Sequence, residues 1–148
     1  MSKLSMIYRR KALYYETDQM KIVHHSNYIR WFEEVRPEYL ESRGFPYAKM
    51  EELGVMIPVL SVDCRYKRPV KFGQTVLINT VIEEFDGLRM KVSYKVTDEE
   101  TGKLMAEGHS EHCFVEAESF RPIRLDKVHP EMAAIFSGED DNKEKSED

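Results

Sequence analysis

The sequence predicts an α+β fold in two layers, a helix laid against an antiparallel sheet, and three observations carry that prediction. An early strand is followed by one long amphipathic segment and then by four β-rich runs. Hairpin residues, above all Asp86-Gly87 and Gly102, separate the later runs, so consecutive strands turn back on one another. Tyr28, Phe32, Val35 and Tyr39 recur at helical spacing, and a sheet face is the one large surface that can bury such a stripe.

Taken in order, residues 7–16 are rich in tyrosine and read as the first strand, although Arg9, Arg10 and Lys11 blur the alternation. A polar loop carrying Asp18 follows. Ser26 or Asn27 is suited to cap a helix that starts near Tyr28, runs to Ser42 and stops at Gly44. Pro37 removes one hydrogen bond from it, predicting a kink or break near residues 33–36. A short helix over 47–53 follows Pro46 and ends at Gly54. Strands are then expected over 55–66, 74–85, 88–97 and 103–115, and one terminal turn over 129–136. Residues 1–137 are read as a single domain. Residues 138–148 lack apolar side chains and are expected to form a disordered acidic tail.

Composition narrows the function. With 41% hydrophobic and 33% charged residues, and no apolar run near the ~18 residues of a membrane span, a soluble globular protein is expected. The first six residues hold one charge and no apolar core of a signal peptide, so a cytoplasmic location is the default. Cys64 and Cys113 show no metal or redox spacing and read as thiols in a reducing compartment. Most of the net charge of −5 sits in the acidic tail. The near-neutral remainder lacks the basic footprint that nucleic acid requires.

The chemistry concentrates in residues 14–34. Asp18 lies just upstream of a helix start, where free N–H groups and the helix dipole stabilise an oxyanion and a carboxylate can act as base or nucleophile. His24 and His25 are adjacent, so their side chains diverge. With no third ligand nearby, no metal site is expected. His109 and Glu111 fall on one strand face and His112 on the other, which argues against a triad. Neither a G-x-S-x-G elbow nor a P-loop is present. Arg65, Lys67, Arg68 and Lys71 fit either a solvated strand face or a phosphate contact. Tyr28 and Phe32 read as core, with Tyr28 also a candidate for lining a pocket.

The pattern Tyr14-x-x-Thr17-Asp18, Val23-x-His25-x-Asn27-Tyr28 and Trp31-Phe32-Glu33 resembles the hotdog-fold acyl-CoA thioesterases, in the 4-hydroxybenzoyl-CoA thioesterase-like branch with the YbgC-type enzymes. A looser likeness runs through Tyr66-Lys67-Arg68-Pro69 to Ala106-Glu107-Gly108-His109. The resemblance implies a long helix wrapped by an antiparallel sheet, and a homodimer or homotetramer with active sites at the interface between protomers. It implies hydrolysis of acyl-CoA to a carboxylic acid and coenzyme A, without a cofactor, since coenzyme A belongs to the substrate. Asp18 would be base or nucleophile, a backbone N–H near His25 the oxyanion donor, and the His25 imidazole an orienting group. Lys67 and Arg68 would meet the coenzyme A phosphates, and Tyr28 the acyl group, in a pocket between helix and neighbouring sheet. An acyl carrier protein is the alternative carrier, and a non-catalytic acyl-CoA-binding module the alternative role. One position departs from the family pattern: Lys21 stands where glycine is usual. That leaves open a loop that still works, a cation beside the thioester, or impaired catalysis.

Overall fold

The computed structural model describes residues 4–138, so all of the acidic tail except Gly138 lies outside the described residues. Strands β1 (Ser5–Lys11), β3 (Val59–Tyr66), β4 (Thr75–Phe85), β5 (Arg89–Asp98) and β6 (Leu104–Cys113) build one antiparallel sheet in the order β1-β4-β5-β6-β3. Short strands β2 (Val55–Met56) and β7 (Val115–Glu116) pair separately at one end. Alternation along the strands sends Ile78, Thr80 and Ile82 of β4, and Val92, Tyr94 and Val96 of β5, into the buried layer. The expected α+β sandwich is present, and helix α1 (Ser26–Ser42) is its second layer.

The predicted stripe is what α1 buries: Tyr28, Phe32, Val35 and Tyr39, together with Asn27 and Trp31. Phe32 stacks flat on Tyr94 of β5, with ring centroids 4.2 Å apart. On β6 the helix comes so close that a side chain at Gly108 would strike the Asp63 carbonyl and approach Phe32 to 2.9 Å. Glycine is therefore a packing requirement there. The break expected near residues 33–36 does not occur: Pro37 lies inside an unbroken α1, whose buried stripe on both sides of it outweighs the one lost hydrogen bond. The helix closes as a Schellman turn: Gly44 takes φ of 89°, the Phe45 N–H donates to Leu40 O, and the Gly44 N–H donates to Glu41 O. Helix α2 (Tyr47–Leu53) then ends at left-handed Gly54.

Three further expectations about the elements need correction. The first strand stops at Lys11, and Tyr14–Glu16 forms a 3-10 turn, because Glu16 turns inward to an ion pair that an extended chain would not reach. The strand expected over 55–66 divides at Ile57-Pro58, as a proline without an N–H requires. The terminal turn is a helix pair, α3 (Leu125–Val128) and α4 (Pro130–Ser137). Phe136 of α4 plugs the core end against Tyr39, Phe85 and Phe114.

Beneath α1 runs a buried polar chain, in which the Tyr94 hydroxyl meets Ser110 Oγ at 2.7 Å and Ser110 Oγ meets His112 Nε2 at 2.7 Å. Burial, reinforced by the Arg36 charge, pushes the His112 imidazole down to about 4, so it is neutral at pH 7. At the sheet edge, β3 is exposed at seven of its eight residues, among them Val59, Leu60, Val62 and Tyr66.

Candidate active site

The Asp18 loop is a tight hairpin. Thr17 bridges Val23, the Asp18 N–H donates to Ile22 O at 2.9 Å, and the Lys21 N–H donates to Asp18 O at 2.9 Å. Such a loop needs a left-handed residue before the chain rejoins its partner, and Lys21 fills that place with φ of 66°. Lys21 thus adopts the backbone conformation for which glycine is favoured, and the hairpin closes despite its side chain. Asp18 is half-buried. Its Oδ1 accepts the Met20 N–H at 2.8 Å, and Oδ2 has no hydrogen-bond partner among the described residues.

The loop is fastened to the helix start by a residue that sequence reasoning passed over. Glu16 is 4% exposed, and its carboxylate accepts four hydrogen bonds. Two come from the Arg10 guanidinium at 3.0 and 2.9 Å, one from the Leu13 N–H at 2.8 Å and one from the Trp31 indole N–H at 2.8 Å. The Glu16 carbonyl takes the Asn27 side-chain amide at 2.9 Å and the His24 N–H at 2.8 Å. Arg10 also grips Glu34 through Nε at 3.0 Å. Strand β1, the 3-10 turn and α1 therefore meet on one buried carboxylate. The available signal was the cation run that interrupts the alternation of β1, together with Trp31 and Asn27 on one helix face.

Neither Ser26 nor Asn27 caps α1 with its own side chain. Instead, the Ser26 N–H donates to His24 Nδ1 at 3.2 Å, and Asn27 is spent on Glu16. With the Asn27 and Tyr28 N–H groups donating to the His24 and His25 carbonyls, one backbone donor at the helix start has no acceptor among the described residues: that of His25. The His25 carbonyl accepts the Tyr66 hydroxyl at 3.0 Å, and the exposed His25 ring stands edge-on to Tyr66. The site can therefore present an open N–H at the positive end of a 17-residue helix.

The other residues singled out are spread around this centre. Tyr28 is 2% exposed, with its ring between Trp31 and Tyr66, and within a single chain it belongs to the core. Lys67 lies 3.9 Å from Glu107, and Arg68 donates to the Leu104 carbonyl, so both exposed cations are tied to β6. Lys71 bridges Ile22 and stands next to the loop. Burial pushes the Cys64 thiol up to about 11, which leaves it protonated and a poor nucleophile near neutral pH. Among the described residues, no three His, Cys, Asp or Glu side chains are grouped to hold a metal ion. No described helix is long and apolar enough to cross a membrane.

A cavity of about 330 Å³ lies between α1 and the sheet, walled by Val35, Leu40, Met50, Ile82, Val92 and Phe136. None of its walls comes from the Asp18 loop. Val35 sits nine residues beyond Ser26, about 14 Å along the helix.

A long helix laid on a five-stranded antiparallel sheet is the arrangement of the hotdog-fold thioester hydrolases. The chain belongs to the thioesterase-like superfamily, whose family model matches residues 13–136. It is 38% identical over 123 residues to YneP of Bacillus subtilis (strain 168), provisionally named an acyl-CoA thioesterase, covering 83% of this chain and 88% of YneP. The DHNA-CoA thioesterase of Staphylococcus aureus superposes with a TM-score of 0.85 at 32% identity, over 96% of this chain and 95% of that one. A hypothetical protein of Aquifex aeolicus superposes with a TM-score of 0.78 at 37% identity, over 86% and 98%.

Proposed function

We propose that this thioester hydrolase acts on acyl-CoA, with Asp18 as the reacting carboxylate and the His25 N–H as oxyanion donor. The observation that carries the reading is the unaccepted His25 N–H at the start of a helix to which the Asp18 loop is itself anchored through Glu16. The relatives' names supply the substrate class, acyl-CoA for one and DHNA-CoA for another.

In this mechanism the thioester carbonyl oxygen points at the His25 N–H, and negative charge grows on it as the carbonyl carbon is attacked. One such donor is worth about 2.7–4 kcal/mol of barrier. Asp18 Oδ2 either takes the proton of the attacking water or attacks directly, giving a mixed anhydride that water then cleaves. Both routes break the C–S bond and release coenzyme A as its thiol after protonation. Tyr66 holds the His25 carbonyl, in the peptide unit that follows the donating one, and so fixes the backbone on that side of the His25 N–H. The exposed β3 edge supports a homodimer built by adding the same strand from a second copy.

The test is free-thiol release from short-chain, long-chain and aromatic acyl-CoA by the wild type and Asp18→Asn. Hydrolysis that falls by two or more orders of magnitude in the variant, with its melting temperature unchanged, is the expected result. Equal turnover by both proteins would refute the role of Asp18. Binding without turnover by the wild type would favour a non-catalytic module, and turnover of acyl carrier protein conjugates alone would change the carrier. Single-turnover hydrolysis in H₂¹⁸O separates the two routes: label in the Asp18 carboxylate marks the anhydride.

A further inference from the structure

The cavity beneath the C-terminal half of α1 has two polar features: a hydroxyl without a partner and a cation without a carboxylate paired to it. Thr80 stands on its sheet-side wall, is 5% exposed, and its hydroxyl has no hydrogen-bond partner. Such an orphan costs about 1–3 kcal/mol, and buried hydroxyls in folded proteins are generally satisfied by protein, water or ligand. On the helix side, Arg36 lines the same cavity and forms no ion pair among the described residues. Its side chain hydrogen-bonds the Tyr94 hydroxyl and its charge acts on neutral His112, while the Glu33 carboxylate, one turn earlier on α1, acts on the same tyrosine without an ion pair to Arg36. The remaining walls are mostly apolar, and about 330 Å³ lies at the small end of ligand pockets, which span about 300–1,000 Å³.

We propose that this cavity binds a free monocarboxylic acid with an apolar tail, at a site separate from the Asp18 loop. Ile82, Val92, Met50 and Phe136 take the tail, Arg36 pairs with the carboxylate, and Thr80 hydrogen-bonds a ligand oxygen. A guanidinium matches a carboxylate with two parallel donors, which favours the acid over an alcohol of the same length. The assignment stands on the cavity alone and does not depend on the mechanism proposed for Asp18.

Titration calorimetry of the full chain with hexanoate, octanoate, decanoate and the matching primary alcohols tests it. Saturable binding of one acid per chain is expected, with the alcohols weaker. Arg36→Gln should weaken the acids about tenfold and leave the alcohols unchanged. Asp18→Asn should bind the acids as tightly as the wild type, and Ile82→Phe, which fills the cavity, should bind neither series. Should Ile82→Phe fail to fold, methyl NMR of the wild type locates the ligand, with octanoate shifting Ile82 and Val92. Absence of saturable binding by every acid, equal affinity for acid and alcohol with no effect of Arg36→Gln, or loss of binding in Asp18→Asn would each overturn the proposal.

Discussion

Replacing Glu16 with alanine removes the acceptor of four hydrogen bonds at once. The Trp31 indole N–H and the Leu13 N–H lose their partner, and Arg10 keeps the Glu34 carboxylate and the Lys11 carbonyl. Truncating one member of a buried ion pair costs about 3–5 kcal/mol, because the other charge stays behind. Arg10 retains a second carboxylate and is itself only partly buried, which puts the expected cost near the lower bound. At about 2–4 °C per kcal/mol for a chain of this size, the melting temperature should fall by about 6–12 °C. Glu16→Gln keeps an acceptor for Trp31 but turns an amide towards Arg10, so about half that loss is expected. The assay is thermal unfolding followed by circular dichroism, paired with thioester turnover at 25 °C. Turnover should fall in both variants, because the clamp positions the Asp18 hairpin. If Glu16→Ala melts within about 2 °C of the wild type, the carboxylate does not hold the loop and the argument fails.

Lys21→Gly relieves a left-handed side chain that costs about 1–2 kcal/mol. Part of this is offset by the freedom glycine adds to the unfolded chain, so a gain of about 0.5–1 kcal/mol should appear as a higher denaturant midpoint. His112 has its pKa depressed from the ordinary 6.5 to about 4. The unfolded chain therefore takes up a proton before the native one does, and stability falls as the pH drops from about 6.5 to about 4. That loss reaches roughly 3 kcal/mol, and His112→Gln should flatten this window in urea titrations at stepped pH. Gly108→Ala forces a methyl group against the Asp63 carbonyl and Phe32, costing about 1–3 kcal/mol, which chemical denaturation would measure.

Local rules sufficed for the buried stripe of the helix and for the hairpins, though not for the helix cap or for Pro37. The aromatic stripe of α1 and the turn glycines carry their information in neighbouring positions, and the structure follows them closely. What was missed depends on partners far apart in sequence. Glu16 looks like a strand residue until Arg10 and Trp31 are brought around it, and α4 looks like a single turn until Phe136 finds Tyr39 and Phe114. The motif that carries the roles proposed for Asp18 and His25 is compact, so it can be read from neighbouring positions. The cavity was not, because its walls come from segments up to a hundred residues apart.

The chain from Tyr94 through Ser110 to His112 also governs which alignments the sheet can accept. Sliding β6 by one residue would turn Ser110 and His112 outward and bring Glu107, His109 and Glu111 beneath the helix. Two carboxylates would then be carried into the buried layer, and Tyr94 would lose Ser110 as its partner. A purely aliphatic layer would tolerate many near-native pairings of similar energy. Three groups whose hydrogen bonds to one another form in only one alignment separate the correct fold from its closest competitors, whatever they add to its stability.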